Sequence, residues 1–569
     1  MLSLQQHINK IAELFFRLGG DTAVICPGSR DVPLIVAFAR HKGINCVPVS
    51  DERSAAFIAL GIAQQSQKPV AIICTSGTAT INFYPAICEA FYQRIPLVAI
   101  TADRPPELID QWDGQSIRQE GIYQNHILHQ ITIPDLLQDD SMQHIENDVT
   151  EAISLCIAQK LPVHINVPLR EPFYPAVKEL YNYNKEKLIT GESKLLPIHS
   201  SLLDTFSLDK VLETINGISN PKKLKLLVVI GMGNFDEKII SALEKAQQKI
   251  GFPIIADVIS NYKNPIQIRN YDLILSDKND DIQFAPEIVI SIGGAMLSKN
   301  LKKFLRNHQS IQHFHIQPYG QVGNPFQTLT GIVRISVESF FNELTKQPIN
   351  SKDYQEYWNV LDHKIDPHHT ISTILNCEVK LASLVLKSLP LNSQLQLSNS
   401  MPVRYALIFG ADPSIKINCN RGTSGIDGCS STAVGAAFET GNITTLITGD
   451  IAFFYDVNAF WNKISIPNLR IIIFNNGGGG IFRLIDGPSS LEELDEFIEN
   501  AHTRTAEFIA RDFKFEYSVA KSEIELQNAL DTFYNESERP KILEIFTNKV
   551  ENEKGYKQFK SRIHPIAIQ

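Results

Sequence analysis

Short apolar runs recur along most of this chain, and between them lie longer stretches of helical periodicity. In the first part the runs are "TAVICPGSR", "INCVPVS", "PVAIICTSG", "IPLVAITADRP" and "LPVHINVP", and the helical patterns include Ala55–Gln65 and Ala79–Gln93. Such alternation points to a parallel sheet covered by helices on both faces, because parallel neighbours need a long crossover between them. With 569 residues the chain is too long for one core, and about three or four domains are expected. The pattern lapses twice. Val177–Leu203 is polar and lacks a period, as a linker would, and "QPINSKDYQEYWN" is a second polar bridge. Three α/β blocks result, at 1–185, 200–346 and 365–569. The middle block carries "KLKLLVVIGMGN", "FPIIADVIS", "EIVISIGGAM" and "SIQHFHIQP"; the last carries "QLQLSNS", "IKINCNRG", "ITTLITGD", "LRIIIFNN" and "PKILEIFTN". The first and last blocks read as two versions of one architecture, without a residue-level repeat.

Several function classes are disfavoured by composition. A net charge of −9 argues against nucleic acid or an anionic membrane as the main partner. No apolar run approaches the length of a membrane span, so stable membrane insertion is not expected. The eight cysteines form no C-x-x-C pair and sit mostly in apolar runs. That usage suits reduced core thiols, and a cytoplasmic location is the expectation. The opening "MLSLQQHINKIAELFFRLGG" is an amphipathic helix pattern without the features of a signal peptide.

In open parallel sheets ligands sit beyond the carboxyl ends of the strands. The chemistry-bearing residues cluster there: Ser29, Arg30, Glu52, Thr75–Gly77, Arg104, Ser400, Arg421, Asp450 and Asn475-Asn476. The strongest pattern is "TGDIAFFYDVNAFWNKISIPNLRIIIFNNGGGG", in which Gly449-Asp450 closes one strand and Asn475-Asn476 closes the next. Adjacent strand ends lie about 5 Å apart, so Asp450 and Asn476 can offer two oxygens to one hard cation. Mg²⁺ takes oxygen ligands of this kind and commonly completes its shell with phosphate. The glycines Gly477–Gly480 would bring bare backbone close to such a phosphate. Glu52, in "VSDERSAAFIAL", is open to two readings: a helix-start acid that complements the dipole, or a functional carboxylate. Gly231-Met232-Gly233 lacks the third glycine of a dinucleotide fingerprint and reads as a tight turn. His313–His315 fits strand alternation, His368-His369 a solvated linker, and "SSLEELDEFIEN" an acidic capped helix.

The ordered set of strand, Gly-Asp, helix, strand, Asn-Asn and poly-Gly resembles the diphosphate and metal motif of thiamine-diphosphate-dependent enzymes. The strings "CPGSRDVPL", "SDERSAAFIALG", "TSGTATINFYPAICEA", "TADRPPELID", "GQSIRQ", "SNSMPVRY" and "NRGTSGIDG" are similar to one branch of that family. That branch decarboxylates 2-oxoglutarate and adds the product to isochorismate in menaquinone biosynthesis. The resemblance runs over essentially the whole chain and implies an α/β fold of three parallel-sheet domains: pyrimidine-binding, central and diphosphate-binding. It implies thiamine diphosphate with Mg²⁺ (Mn²⁺ as an alternative), the metal at Asp450, Asn476 and Gly478. Glu52 would hydrogen-bond the aminopyrimidine ring and promote its imino tautomer, with Gln115 as a second catalytic position. Ser76, Gly77, Ser400, Gly425, Ile426, Gly449, Ile451 and Ile481 would surround the cofactor. Ser29, Arg30, Arg104, Gln115, Lys299, Ser400, Arg404, Arg421, Phe482 and Ile485 fall on substrate positions. Ile451 departs from the family pattern, which usually has glycine there. So does Asn300, where a second basic residue is common. Each implied substrate is a dicarboxylate, which suits converging arginines. The family plan also implies a homodimer or homotetramer with active sites between subunits. An acetolactate-synthase-type ligase and a non-catalytic nucleotide-binding protein of the same fold remain as alternatives.

Overall fold

Three six-stranded sheets account for the apolar runs, and every strand pairing within them is parallel. The computed structural model describes residues 6–134, 141–171, 181, 183–184, 186–188, 205–218, 220–277, 284–308, 311–374, 376–484 and 487–568. The first sheet comprises β1 (Thr22–Ile25), β2 (Asn45–Pro48), β3 (Val70–Cys74), β4 (Leu97–Asp103), β5 (His129–Thr132) and β6 (Val163–Pro168), in the order β2-β1-β3-β4-β6-β5. The second contains β7 (Thr205–Phe206), β8 (Leu226–Ile230), β9 (Ile254–Ala256), β10 (Ile288–Ile292), β11 (Gln312–Ile316) and β12 (Leu329–Val333), ordered β7-β12-β11-β10-β8-β9. The third has β13 (Gln394–Leu397), β14 (Lys416–Cys419), β15 (Thr444–Gly449), β16 (Leu469–Asn475), β17 (Glu516–Ala520) and β18 (Lys541–Phe546), ordered β14-β13-β15-β16-β18-β17. The first and third orders are the same permutation, so the likeness read from the sequence is a likeness of topology.

Four strands escape the sequence reading. β5 and β17 occupy the same edge of equivalent sheets, are polar and only half-buried, and so give no apolar run. β7 is only two residues long, and β12 has a central glycine. The helical pattern Ala79–Gln93 is two helices, Thr78–Asn82 and Tyr84–Gln93. Pro85 lacks the N–H that would bond back to Ile81, which breaks the ladder there. The polar segment Val177–Leu203 lies mostly outside the described residues. Of those described, the Tyr183 hydroxyl donates to the Ala37 carbonyl at 2.7 Å and the Leu188 N–H to that of Arg17 at 2.8 Å, so this stretch lies along the first domain.

The third sheet packs on both others: one apolar core joins it to the first sheet and another to the second. The first junction is the pair of helices Glu52–Ser66 and Cys429–Thr440. A Cβ on Gly61 would come within 2.1 Å of the Thr432 carbonyl, and one on Gly435 within 2.0 Å of that of Ile58. Each glycine thus admits the other helix's backbone, an approach no larger residue tolerates. Gly231-Met232-Gly233 is a tight exit from β8 packed on Gly294, with the next helix starting only at Glu237, as the missing third glycine predicts. His313 and His315 both bond the Ser291 hydroxyl, at 2.7 and 2.8 Å, and burial holds both imidazoles well below their usual pKa. Among the described residues no helix is long and apolar enough to cross a membrane.

Candidate functional site

The topology puts the candidate residues at matching places. Arg30, Glu52, Ser76-Gly77 and Arg104 follow β1, β2, β3 and β4; Ser400, Arg421, Asp450 and Asn476 follow β13, β14, β15 and β16. Each set lies along the carboxyl edge of its sheet.

On the third sheet, β15 and β16 are paired with Gly449 opposite Phe474, which sets Asp450 beside Asn475-Asn476. The Asp450 carboxylate accepts the N–H groups of Ile451 (2.7 Å), Gly477 (2.9 Å) and Gly478 (3.0 Å). Burial pushes its pKa up to about 6, and those amides hold it from rising further. Asn476 Nδ2 donates to Glu378 at 2.9 Å, which orients the amide, while the buried Asn476 Oδ1 has no hydrogen-bond partner. The Gly477–Gly480 loop is folded against Glu499–His502: Gly479 N–H donates to the Glu499 carbonyl (2.7 Å), and His502 N–H to that of Gly477 (2.9 Å). Among the described residues no group of three or more His, Cys, Asp and Glu side chains could hold a metal. A carboxylate and an unpartnered amide oxygen suit a hard cation that also needs oxygens from a ligand.

Beside this loop Asn399 organises the next two strand exits. Its Nδ2 donates to the carbonyls of Asn420 (2.7 Å) and Gly425 (2.6 Å), and its Oδ1 accepts from Arg421 at 3.0 Å. It thereby places Arg421, Gly425 and the half-buried Ile426. Ser400 has φ +76°, a strained conformation for a residue with a side chain. A cavity of about 170 Å³ is lined by Lys299, Asn300, Arg404, Ile481, Tyr556 and Lys560, among others. Burial, and next the charge of Arg421, push the Arg404 guanidinium below its usual pKa. Phe482 lies half-buried in the turn that follows Ile481, and Ile485 falls outside the described residues.

The first sheet carries the other half. Asp51, not Glu52, caps the helix Glu52–Ser66: one oxygen accepts the Ser54 N–H (3.1 Å), and the other accepts from Asn458 (2.7 Å). Glu52 is left half-buried, its pKa raised by burial and then by Asp51. Next to it Arg53 donates to the Tyr455 carbonyl (3.2 Å) and lies 3.5 Å from Asp456, beside the end of the helix Asp450–Tyr455 remote from Asp450. No hydrogen bond or ion pair joins Glu52 to Asp450 or Asn476 within the chain, among the described residues. Ser76 Oγ donates to the Gln115 carbonyl (2.9 Å), and Gly77 N–H to Gln119 (2.8 Å). Gln119 in turn bonds Asn166, which bonds Asp103. Arg104 pairs with Asp113 at 2.8 Å, and Arg30 donates to the Leu169 carbonyl at 2.5 Å. Ser29 and Gln115 are exposed.

Two family profiles match the chain: "Thiamine pyrophosphate enzyme, N-terminal TPP binding domain" over residues 9–129, and "Middle domain of thiamine pyrophosphate" over residues 221–349. Similarity to curated proteins runs nearly end to end. The 2-succinyl-5-enolpyruvyl-6-hydroxy-3-cyclohexene-1-carboxylate synthase of Cytophaga hutchinsonii is 41% identical over 98% of this chain and 99% of its own length. The synthases of the same name from Flavobacterium johnsoniae and Bacteroides fragilis are 39% and 33% identical, each over 96% of this chain and 97% of theirs. The chain belongs to this synthase family of thiamine pyrophosphate enzymes.

Within the synthase-family fold, the structure joins Ser76, Gly77 and Gln115 in one cluster and Asp450, Asn476 and Gly478 in a second. Lys299, Arg404 and Ile481 form a third around the cavity. Among the described residues no hydrogen bond or ion pair within the chain joins the first cluster to the other two. Sequence reasoning missed Glu378, Gln119, Tyr556 and Lys560. Glu378 is wholly buried and takes hydrogen bonds from Asn476, Tyr405, Thr547 and Asn552. In the sequence it is one more acid at a helix start. The acidic "SSLEELDEFIEN" is not a regular helix but short turns whose Asp495 and Glu499 pair with Arg483 and Lys549.

Proposed function

We propose that this chain catalyses the reaction of its synthase family with Mg²⁺ or Mn²⁺ as the metal, at a centre completed by a second copy of the chain. In that reaction 2-oxoglutarate loses carbon dioxide and its remaining four-carbon unit is added to isochorismate. Thiamine diphosphate, when bound, supplies the electron sink that lets a 2-oxo acid react as a carbon nucleophile. The protein's own residues do the rest. Asp450 and Asn476 Oδ1, with the Gly478 carbonyl, would hold the cation, and the bare Gly477–Gly480 backbone would admit a diphosphate beside it. Ile426 and Ile481 give apolar support, and Ser400, Arg404, Arg421 and Lys299 bind and orient carboxylates.

Glu52, with no capping duty and a raised proton affinity, is suited to exchange a proton with a ring nitrogen held against it. Its position beside the far end of the helix Asp450–Tyr455 favours a Glu52 acting on the third sheet of another protomer. The first-sheet residues Ser29, Arg30, Arg104 and Gln115 would then close over the same substrates.

One observation carries this reading: the cation-lined cavity abuts the Asp450–Asn476 loop through Ile481. The test is turnover by the purified protein with 2-oxoglutarate and isochorismate, compared with pyruvate alone, in the presence of thiamine diphosphate and Mg²⁺. Product from the pair is expected. Turnover with pyruvate alone and none with the pair would replace this reading with that of an acetolactate-type ligase.

A further inference from the structure

We infer that the helix Lys549–Ile568 contributes Lys560 to the carboxylate-binding cavity as a specificity-determining cation. The inference rests on the reading of that cavity as a substrate site, and extends it to an element outside all the strand-end motifs.

The cavity receives Lys299 from the second sheet's side, Arg404 from the helix after β13 and Lys560 from the last helix. Among the described residues none of the three lies within 4 Å of a carboxylate oxygen. Arg404 bonds only the Ser400 carbonyl, and Lys560 Nζ stands 5.1 Å over the ring of Tyr556. One acid, Asp272, lines the same cavity; its carboxylate already accepts the Ser298 hydroxyl at 2.5 Å and is drawn by both Lys560 and Arg404. Three cations against one acid leave about two positive charges facing a small space in a protein whose net charge is −9. Like charges crowd together in this way at a cost that an anionic ligand offsets. Room for about five or six water-sized groups suits a carboxylate and the carbons next to it, with Ile481 and Leu484 as the apolar wall.

Lys560 is not placed there by chance rotation of a surface helix. Gly555 lies flush on Cys377, where a Cβ would come within 2.4 Å of Sγ, and Phe559 and Ile563 are buried. Arg562 ties the outer side to the Thr373 carbonyl at 2.7 Å. These contacts fix the helix's rotation. Residues four apart share a face, so Tyr556 and Lys560 are turned together toward the cavity.

The test is steady-state kinetics of the full chain with cofactor and Mg²⁺, varying each substrate in turn, for wild type, Lys560→Gln and Lys560→Arg. Lys560→Gln should raise KM for 2-oxoglutarate or isochorismate about tenfold, the scale of one charge-assisted hydrogen bond. It should leave kcat within about twofold, and Lys560→Arg should restore most of the lost affinity. Wild-type turnover with unchanged KM values in Lys560→Gln overturns this inference alone. Wild-type silence with this substrate pair overturns the functional reading itself.

Discussion

The Asp450 carboxylate and the Asn476 amide stand at the exits of adjacent strands, one held by three backbone amides and the other with a bare, buried oxygen. Backbone amides fix the carboxylate, and His502 Nε2 stands 3.4 Å from one of its oxygens, so the pair offers two oriented oxygens of the kind a hard cation takes. Asp450→Ala should weaken Mg²⁺-dependent binding of thiamine diphosphate by about a hundredfold or more. Titration of the cofactor with and without a chelator measures this. Cofactor affinity in Asp450→Ala equal to that of wild type would remove the cation from this position.

Glu378 is the residue that aims Asn476, and of its four donors only the Tyr405 and Thr547 hydroxyls could turn to accept from an amide, at the loss of their bonds to a charged oxygen. Glu378→Gln would set an NH₂ group against one of those donors inside a fully buried pocket. A loss of about 2–3 kcal/mol in stability is expected, together with roughly tenfold weaker Mg²⁺ affinity. Melting curves and metal titration separate the two effects.

Glu52→Gln keeps the shape of the side chain and removes its proton affinity. Turnover should fall by about a hundredfold or more, with cofactor affinity nearly unchanged. If Glu52 and Asp450 meet only across a subunit boundary, mixing Glu52→Gln with Asp450→Ala protomers should recover activity. Random exchange in a dimer regenerates about a quarter of the sites. No recovery after verified exchange would place both residues in one protomer's centre.

Asp31 follows β1 as Glu52 follows β2, and it is wholly buried, neither oxygen having a hydrogen-bond partner among the described residues. Burial pushes its pKa up to about 7, with Glu52 adding to the rise and the nearby amides of Asp31 and Gly28 opposing it. An acid whose pKa is higher in the folded chain binds more protons there than when unfolded. Stability therefore falls as pH climbs from about 4 to about 7, and the loss is complete above that range. Asp31→Asn should melt higher than wild type at pH 8, by up to about 4 kcal/mol in stability, and the gap should shrink to about 1 kcal/mol by pH 4.5 and close below about pH 3.5. A gap independent of pH would show that the charge is not the cause.

Strands buried on both faces were legible where burial leaves an unbroken apolar run, and the buried β12 was missed because its central glycine interrupts that run. β5 and β17 were not, since a half-exposed edge strand such as "HQIT" or "EYSVA" carries polar residues that erase the signal. The residues at strand exits were legible for a topological reason: Asp450 and Asn476 are distant in sequence, but parallel pairing fixes their nearness. Nothing comparable announces Lys560 or Glu378. Their positions depend on how a helix from one region rotates against another, and local pattern does not record that rotation. Asp51-Glu52 shows the finer limit. Ser50 or Asp51 could cap the helix on sequence grounds, and only the Ser54 contact shows that Asp51 does, which leaves Glu52 outside the cap.

Glu89, fully buried on the helix Tyr84–Gln93, grips the loop after Arg421 by three hydrogen bonds, from Gly422 N–H (2.7 Å), Thr423 N–H (2.6 Å) and the Thr423 hydroxyl (2.6 Å). That helix continues, through the break at Phe83, the segment that begins at Ser76-Gly77. The clamp links the β3 turn and the loop that follows Arg421 as two ends of one unit within the chain. A displacement of either end must therefore carry the other with it or break one of the hydrogen bonds that Glu89 accepts.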